Sequence, residues 1–209
     1  MTGPTPAGSP ARFWDDFYAA RDEVWSGRAN ALLVEEAADL TPGWALDVGC
    51  GEGGDALWLA ARGWRVTAVD VAQAALDRGA RRAAEEGLAD SVVWERHDLG
   101  ASFPAGTYDL VSACYLHSPV ALDRRRALRA AVAAVAPGGS VVVVSHAPTP
   151  DAPHAGLALP TAEEVLADLG LPAAGWTVER CATVERTVTA RDGRRVTRPD
   201  TVVRARREA

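Results

Sequence analysis

The stretch from Trp44 to Ala60, WALDVGCGEGGDALWLA, changes pattern twice within a short span. WALDV is a short apolar run and reads as a strand. Four glycines follow, Gly49, Gly51, Gly53 and Gly54, with Glu52 among them and Asp47 and Asp55 on either side. Then DALWLAARG carries apolar residues at helical spacing to a stop at Gly63. Glycine is required where a chain takes φ > 0 or lets a ligand approach its backbone, so strand, turn and helix together suggest a ligand loop in an open α/β sheet. The glycines alone do not name the ligand.

The rest of the chain continues the alternation. WRVTAVDV reads as a strand and Ala72 to Gly87 as a helix. The strands SVVWERHD and YDLVSACYL follow, then a helix from Val120 to Val135, then GGSVVVVSHA, an apolar run consistent with a buried parallel strand. Upstream, residues 1–10 lack periodicity and read as a disordered leader, with order beginning near Arg12 in RFWDDFYAARDEVWSG. A second helix carries Ala29, Leu32, Leu33, Ala37 and Leu40 on one face and ends at Pro42 and Gly43. Downstream, a Pro-rich loop and the helix TAEEVLADLG precede two strand-like runs joined at Asp192 and Gly193, a hairpin signal. The expected fold is a doubly wound, mostly parallel, seven-stranded α/β sheet with an antiparallel C-terminal hairpin. The expected domain spans residues 11–209, with an N-terminal helical part (11–42), a ligand-binding core (43–147) and a C-terminal helix and hairpin (148–209).

Composition narrows the partners. With 209 residues, 48% of them hydrophobic, the chain suits one full-sized domain. A net charge of -6 opposes general affinity for nucleic acid, which rests on many cations releasing counterions. All 22 basic residues are arginine, which rules out lysine chemistry. Cys50, Cys114 and Cys181 are unclustered, as expected for reduced thiols, and no apolar run is long enough to span a membrane. A soluble, cytoplasmic protein acting on a small molecule as monomer or homodimer is expected.

GCGEGG formally satisfies G-x-G-x-x-G through Gly49, Gly51 and Gly54, so an NAD-dependent oxidoreductase stays open. Asp47, Glu52 and Asp55 make the turn a poor setting for an anionic pyrophosphate and a better one for an ammonium or sulfonium. Asp70, at the end of the second strand, suits the ribose of either ligand; Asp98, at the end of the third, adds a carboxylate placed for an adenine amino group. Acids at three successive strand ends favour S-adenosylmethionine.

His117 follows the fourth strand and is the candidate base, since imidazole accepts protons near neutral pH; a structural role stays open because a thiolate or selenide acceptor needs no base. His146 and His154 are further acceptor-side candidates, and His97 reads as structural. The four histidines show no metal-site spacing. Arg186 and Arg195 offer cations to an anionic acceptor, against a solvated hairpin as the alternative.

ALDVGCGEGG, VTAVDV, RHDL and YDLVSACYLH, in this order, resemble the successive motifs of class I S-adenosylmethionine-dependent methyltransferases. FWDDFY…VWSGRANALL and GWTVERCATVERTVTARDGRRV further resemble the small tellurite-resistance and thiopurine-type members. The resemblance implies that Asp47, Gly49 and Gly51 line the methionine end, Asp70 and Val71 meet the ribose, and Asp98 and Leu99 the adenine. It also implies Arg28 at the cofactor carboxylate and Trp14, Tyr18 and Trp25 as an aromatic lid over the sulfonium. Helix packing on the core is the alternative for the three aromatics. Cys114 falls beside the cofactor, and both it and Cys50 read as packing groups rather than nucleophiles. Members with tellurite activity carry a His-Arg pair on the penultimate strand, where this chain has Glu185 and Arg186. A noncatalytic adenosylmethionine-binding module remains the second alternative.

Overall fold

The computed structural model describes residues 9–22, 24–149, 159–189 and 195–209. The first eight residues of the expected leader, His154 and the Asp192–Gly193 turn lie outside them. Helix α1 (Pro10–Ala19) starts earlier than the expected Arg12, because Pro10 suits the first turn and the Ser9 hydroxyl accepts the Arg12 N–H at 3.3 Å. It also stops well before Trp25, whose N–H instead donates to Glu52. Helix α2 (Ala31–Ala37) is shorter than expected: Asn30 caps it, its side chain accepting the Leu32 N–H at 3.0 Å while its own N–H donates to Asp55 at 2.6 Å.

The alternating core follows as β1 (Trp44–Val48), α3 (Gly54–Ala60), β2 (Arg65–Asp70), α4 (Gln73–Glu85), β3 (Val92–Arg96) and β4 (Tyr108–Cys114). Helix α5 (Arg124–Ala133) begins after the expected Val120, where Asp123 caps it by accepting the Arg126 N–H at 3.0 Å. Strand β5 (Val135–His146) starts before the expected Gly138, since Val135 pairs with Tyr108 and the register shifts between Tyr108 and Leu110. Helix α6 (Ala162–Leu169), closed by a Thr161–Glu164 capping box, leads to β6 (Trp176–Thr189) and β7 (Arg195–Arg207).

The seven strands lie in the order β3-β2-β1-β4-β5-β7-β6, the first five parallel and β7 antiparallel to both neighbours. The fold class and its C-terminal antiparallel hairpin are as expected. The chain moves outward from β1 to β3, then returns to the other side of β1 for β4. That reversal opens a crevice at the carboxyl ends of β1 and β4, where open α/β sheets bind ligands.

Apolar residues cover both faces of the sheet, which is why the central strands read as continuous hydrophobic runs. On one face Leu46, Val111 and Val141 pack with Leu128 of α5 and Leu169 of α6. On the other, Ala45, Leu110 and Val142 pack with Leu33 of α2 and Leu59 of α3. The Trp94 ring of β3 occupies the space left by the missing side chains of Gly53 and Gly79. Among the described residues no helix is long and apolar enough to cross a membrane.

Candidate active site

A cavity of about 750 Å³ opens above the carboxyl ends of the parallel strands, floored by the glycine turn. The N–H groups of Gly49 and Cys50 both donate to the Val69 carbonyl at 2.9 Å, tying the turn to β2. Gly49 and Gly51 have φ of +73° and +53°. A side chain on Gly49 would meet Leu116 at 2.7 Å, and one on Gly51 the Tyr18 hydroxyl at 3.0 Å. Glycine at these two positions therefore keeps both the backbone conformation and the space above it.

Three carboxyl groups surround the turn. Asp70 accepts the Gly51 N–H on one oxygen and the Ala72 N–H on the other, both at 2.9 Å, so it braces the turn while facing the cavity. Burial raises its pKa and these backbone bonds temper the rise. Asp55 is raised by burial too, against its bond from the Asn30 N–H. Asp47, only 2% exposed, is pushed well above the usual carboxylate range by burial and by the charges of Asp55 and Asp70, with the Ser112 hydroxyl opposing the shift. Ser112 reaches one Asp47 oxygen at 3.4 Å; the other, Oδ2, is buried and makes no hydrogen bond among the described residues. A pocket that raises several carboxyl groups and leaves one oxygen without a donor suits a cation.

Glu52 serves a different purpose from the one read in the sequence. One of its oxygens pairs with Arg78 at 2.7 Å, and the other accepts the N–H groups of Val24 and Trp25. Its charge is spent on holding the segment after α1 over the turn. Farther along the rim, Asp98 accepts the Gly100 N–H at 3.0 Å beside buried Leu99, and Val71 lines the wall between Asp70 and Asp98. His97 also lines the cavity and bridges Glu95 and Ser102, each at 3.0 Å.

Trp14, Tyr18, Trp25 and Arg28 all line the cavity. The Trp25 indole donates to the Tyr18 hydroxyl at 3.0 Å, and the Trp14 indole to Ser118 at 3.3 Å, so α1 is fastened across the opening. Tyr18 packs with Ala72 and Ala75 while its hydroxyl overlooks Gly51. Arg28 is exposed at the rim, its carbonyl leaving no room for a side chain on Gly54. Cys50 and Cys114 both line the cavity, and burial followed by nearby aspartates pushes both thiols well above their ordinary range, away from nucleophilic thiolate.

The opposite wall gathers residues from three separate segments. His117 and Tyr115 follow β4, His146 ends β5, and Arg186 lies on β6. Behind them Asp200 of β7 is fully buried. Its Oδ1 meets His146 Nδ1 at 2.9 Å, and its Oδ2 accepts the Tyr115 hydroxyl at 2.7 Å and Arg186 Nε at 2.6 Å. Burial raises the Asp200 pKa, but these bonds outweigh it, and the carboxyl lies below its ordinary range. Tyr115 has φ of +53°, a strained conformation for a tyrosine. Asp200 was missed by sequence reading, because nothing local in RPDTVVRA sets this acid apart. Arg195, at the exposed start of β7, does not line the cavity.

Residues 45–139 match a family of proteins described as a methyltransferase domain. A probable chloroplastic tocopherol O-methyltransferase of Oryza sativa subsp. japonica is 33% identical over 131 residues, covering 56% of this chain and 35% of that one. The chain spans about a third of the length of the curated relatives it matches. Among solved structures, one concerned with conversion of a disulfide bond into a thioacetal group during echinomycin biosynthesis has a TM-score of 0.72 and 23% identity, covering 96% of this chain and 92% of that one. The N-methyltransferase NodS from Bradyrhizobium japonicum WM9, in complex with S-adenosyl-L-homocysteine, has a TM-score of 0.71 and 20% identity, covering 96% of this chain and all of that one. The Rossmann-like sheet is thus shared with these proteins.

Proposed function

We propose that this chain is a class I S-adenosylmethionine-dependent methyltransferase acting on a small-molecule acceptor. The observation that carries the reading is the run of aspartates at the carboxyl ends of adjacent strands, Asp47, Asp70 and Asp98, around a glycine turn that admits no side chain. The residues fit the cofactor. Asp47 Oδ2, buried without a donor, offers an acceptor to its ammonium group, and Asp70 with Val71 a carboxylate and a wall to its ribose. Asp98 and Leu99 would meet the adenine, and Arg28 the carboxylate. Trp14, Tyr18 and Trp25 would cover the cation, and Cys114 pack beneath it. When bound, the cofactor supplies a methyl carbon made electrophilic by its sulfonium.

The matched methyltransferase domain spans the same turn and strand ends, which supports this assignment. A dinucleotide would set its pyrophosphate among Asp47, Asp55 and Asp70, where burial already disfavours negative charge. Holding the nucleophile in line with the methyl carbon supplies most of the rate, an effect worth up to about 7–11 kcal/mol in good geometry. His117, Tyr115, His146 and Arg186 make the opposite wall polar, suited to a second reactant and unlike a mere cofactor-binding module. Arg186 follows Glu185, not histidine, and is committed to Asp200 and Tyr115, which argues against tellurite as the acceptor. The test is transfer of labelled methyl from S-adenosylmethionine to a panel of phenols, thiols, amines and selenite. Label transferred with release of adenosylhomocysteine is expected; cofactor binding with no transfer to any class would leave a binding module.

A further inference from the structure

We propose that His146, held by the buried side chain of Asp200, is the general base of the acceptor wall, and that the acceptor it serves presents an aryl hydroxyl. This rests on the methyltransferase reading and names the substrate class of the same site.

The placement comes from sheet pairing. His146 at the end of β5 lies directly opposite Asp200 in the antiparallel register with β7, which puts the two side chains on one face. Asp200 is fully buried and receives donors on both oxygens: His146 Nδ1, the Tyr115 hydroxyl and Arg186 Nε. An ionised carboxylate only accepts, so His146 Nδ1 must carry the hydrogen, and the basic lone pair falls on Nε2. The Tyr115 ring stacks on His146 at 4.2 Å and 24°, fixing the imidazole plane, and the His117 ring lies parallel at 5.9 Å and 12°. Tyr115 makes its contacts from a left-handed backbone, and strain of this kind gathers at functional sites. When the imidazole takes a proton, Asp200 stabilises the resulting cation, the role a buried carboxylate plays behind a catalytic histidine.

The dyad also selects the acceptor. Thiols, with an ordinary pKa of about 8.5, are partly ionised near neutral pH and need little help, whereas phenolic hydroxyls, near 10, are held back by their proton. Leu116, Pro119, Leu122 and Leu159 line the cavity alongside the two histidines and offer apolar surface to an aromatic ring. The acceptor oxygen gives its proton to His146 Nε2 and uses the freed pair to bond the methyl carbon. The carbon–sulfur bonding pair remains on sulfur, which becomes neutral, and the imidazolium then releases its proton to solvent.

Among the described residues, the charged and titratable groups gathered around His146 include Asp200 of β7, Tyr115 and His117 after β4, and Arg186 of β6, which reaches it through Asp200; Arg124 of α5 bonds the neighbouring Ser145 hydroxyl at 3.2 Å. Turnover of 4-methylphenol and catechol is compared with that of thiophenol in the wild type, His146→Ala, His117→Ala and Asp200→Asn, with adenosylhomocysteine affinity measured for each. His146→Ala should lower phenol turnover by about 100-fold or more, remove the imidazole limb of its pH profile and leave cofactor affinity unchanged. His117→Ala should cost less. Nitrogen-15 NMR of wild-type protein should show His146 protonated on Nδ1, independently of turnover. Should Asp200→Asn fail to fold, the histidine variants and the NMR tautomer decide alone. Phenol turnover unaffected by His146→Ala, a larger loss in His117→Ala, an Nε2-protonated His146, or transfer to thiophenol but to neither phenol would each overturn the proposal. Absence of adenosylhomocysteine binding would overturn this inference and the methyltransferase reading together.

Discussion

Replacing Gly51 by alanine perturbs the turn and the lid together, and a second glycine separates the two effects. Gly51 has φ of +53°, and Gly87, just past the end of α4 and not among the cavity-lining residues, has φ of +72°. At Gly87 an added side chain meets nothing within 4 Å, so Gly87→Ala measures backbone strain alone. A left-handed alanine costs about 1–2 kcal/mol, of which about 0.4–1 is offset by the stiffer unfolded chain, leaving a net loss near 1 kcal/mol. At Gly51 the new carbon would also stand 3.0 Å from the Tyr18 hydroxyl and 3.4 Å from Trp25 Nε1. Tyr18 is buried and bonded to Trp25, so the pair must shift as a unit. Weakening that hydrogen bond adds about 0.5–1.5 kcal/mol to the loss. Urea unfolding should therefore show Gly51→Ala about 1.5–2.5 kcal/mol less stable than wild type, against about 1 kcal/mol for Gly87→Ala. Calorimetry should show adenosylhomocysteine about tenfold weaker, about 1.4 kcal/mol, in Gly51→Ala only. Equal losses of stability in the two variants, with equal affinity, would refute the close packing of Tyr18 and Trp25 against the turn.

Asp47→Asn should stabilise the cofactor-free protein near neutral pH while weakening adenosylmethionine. The folded pKa of Asp47 lies above its unfolded value, so the native state binds more protons and stability falls as pH rises from the ordinary carboxyl range through the raised value. The asparagine variant should lose this part of the pH dependence; unfolding profiles with unchanged slope would count against a protonated, ligand-awaiting Asp47. Gly79→Ala, which in an open helix would gain about 1 kcal/mol, should instead destabilise by about 1–3 kcal/mol because the methyl enters the Trp94 ring. A higher melting temperature would show that Trp94 yields freely.

Local signals carried the sequence reading far on the parallel half of the sheet. The glycine turn, the aspartates at strand ends, and Trp14 and Tyr18 of α1 are each fixed by short-range pattern, and each lines the cavity. Boundaries shifted where caps decide them, as with Asn30 and Asp123, or where a long-range pair does, as with Val135 and Tyr108. Glu52 was misread because its partner Arg78 lies on α4, and charge pairing across elements leaves no mark at short spacing. Asp200 was invisible for the same reason: its meaning depends on β7 inserting between β5 and β6, which brings residues 115, 146, 186 and 200 to one point.

The most direct measurement is a calorimetric titration of the purified protein with S-adenosylmethionine, S-adenosylhomocysteine and NAD, repeated on Asp70→Ala. Saturable one-to-one binding of both adenosyl ligands, tighter than NAD and weakened by about 1–3 kcal/mol in a folded Asp70→Ala, is the expected result. Tighter binding of NAD, or adenosyl affinities indifferent to Asp70, would contradict a methyl-donor site at the carboxyl ends of these strands.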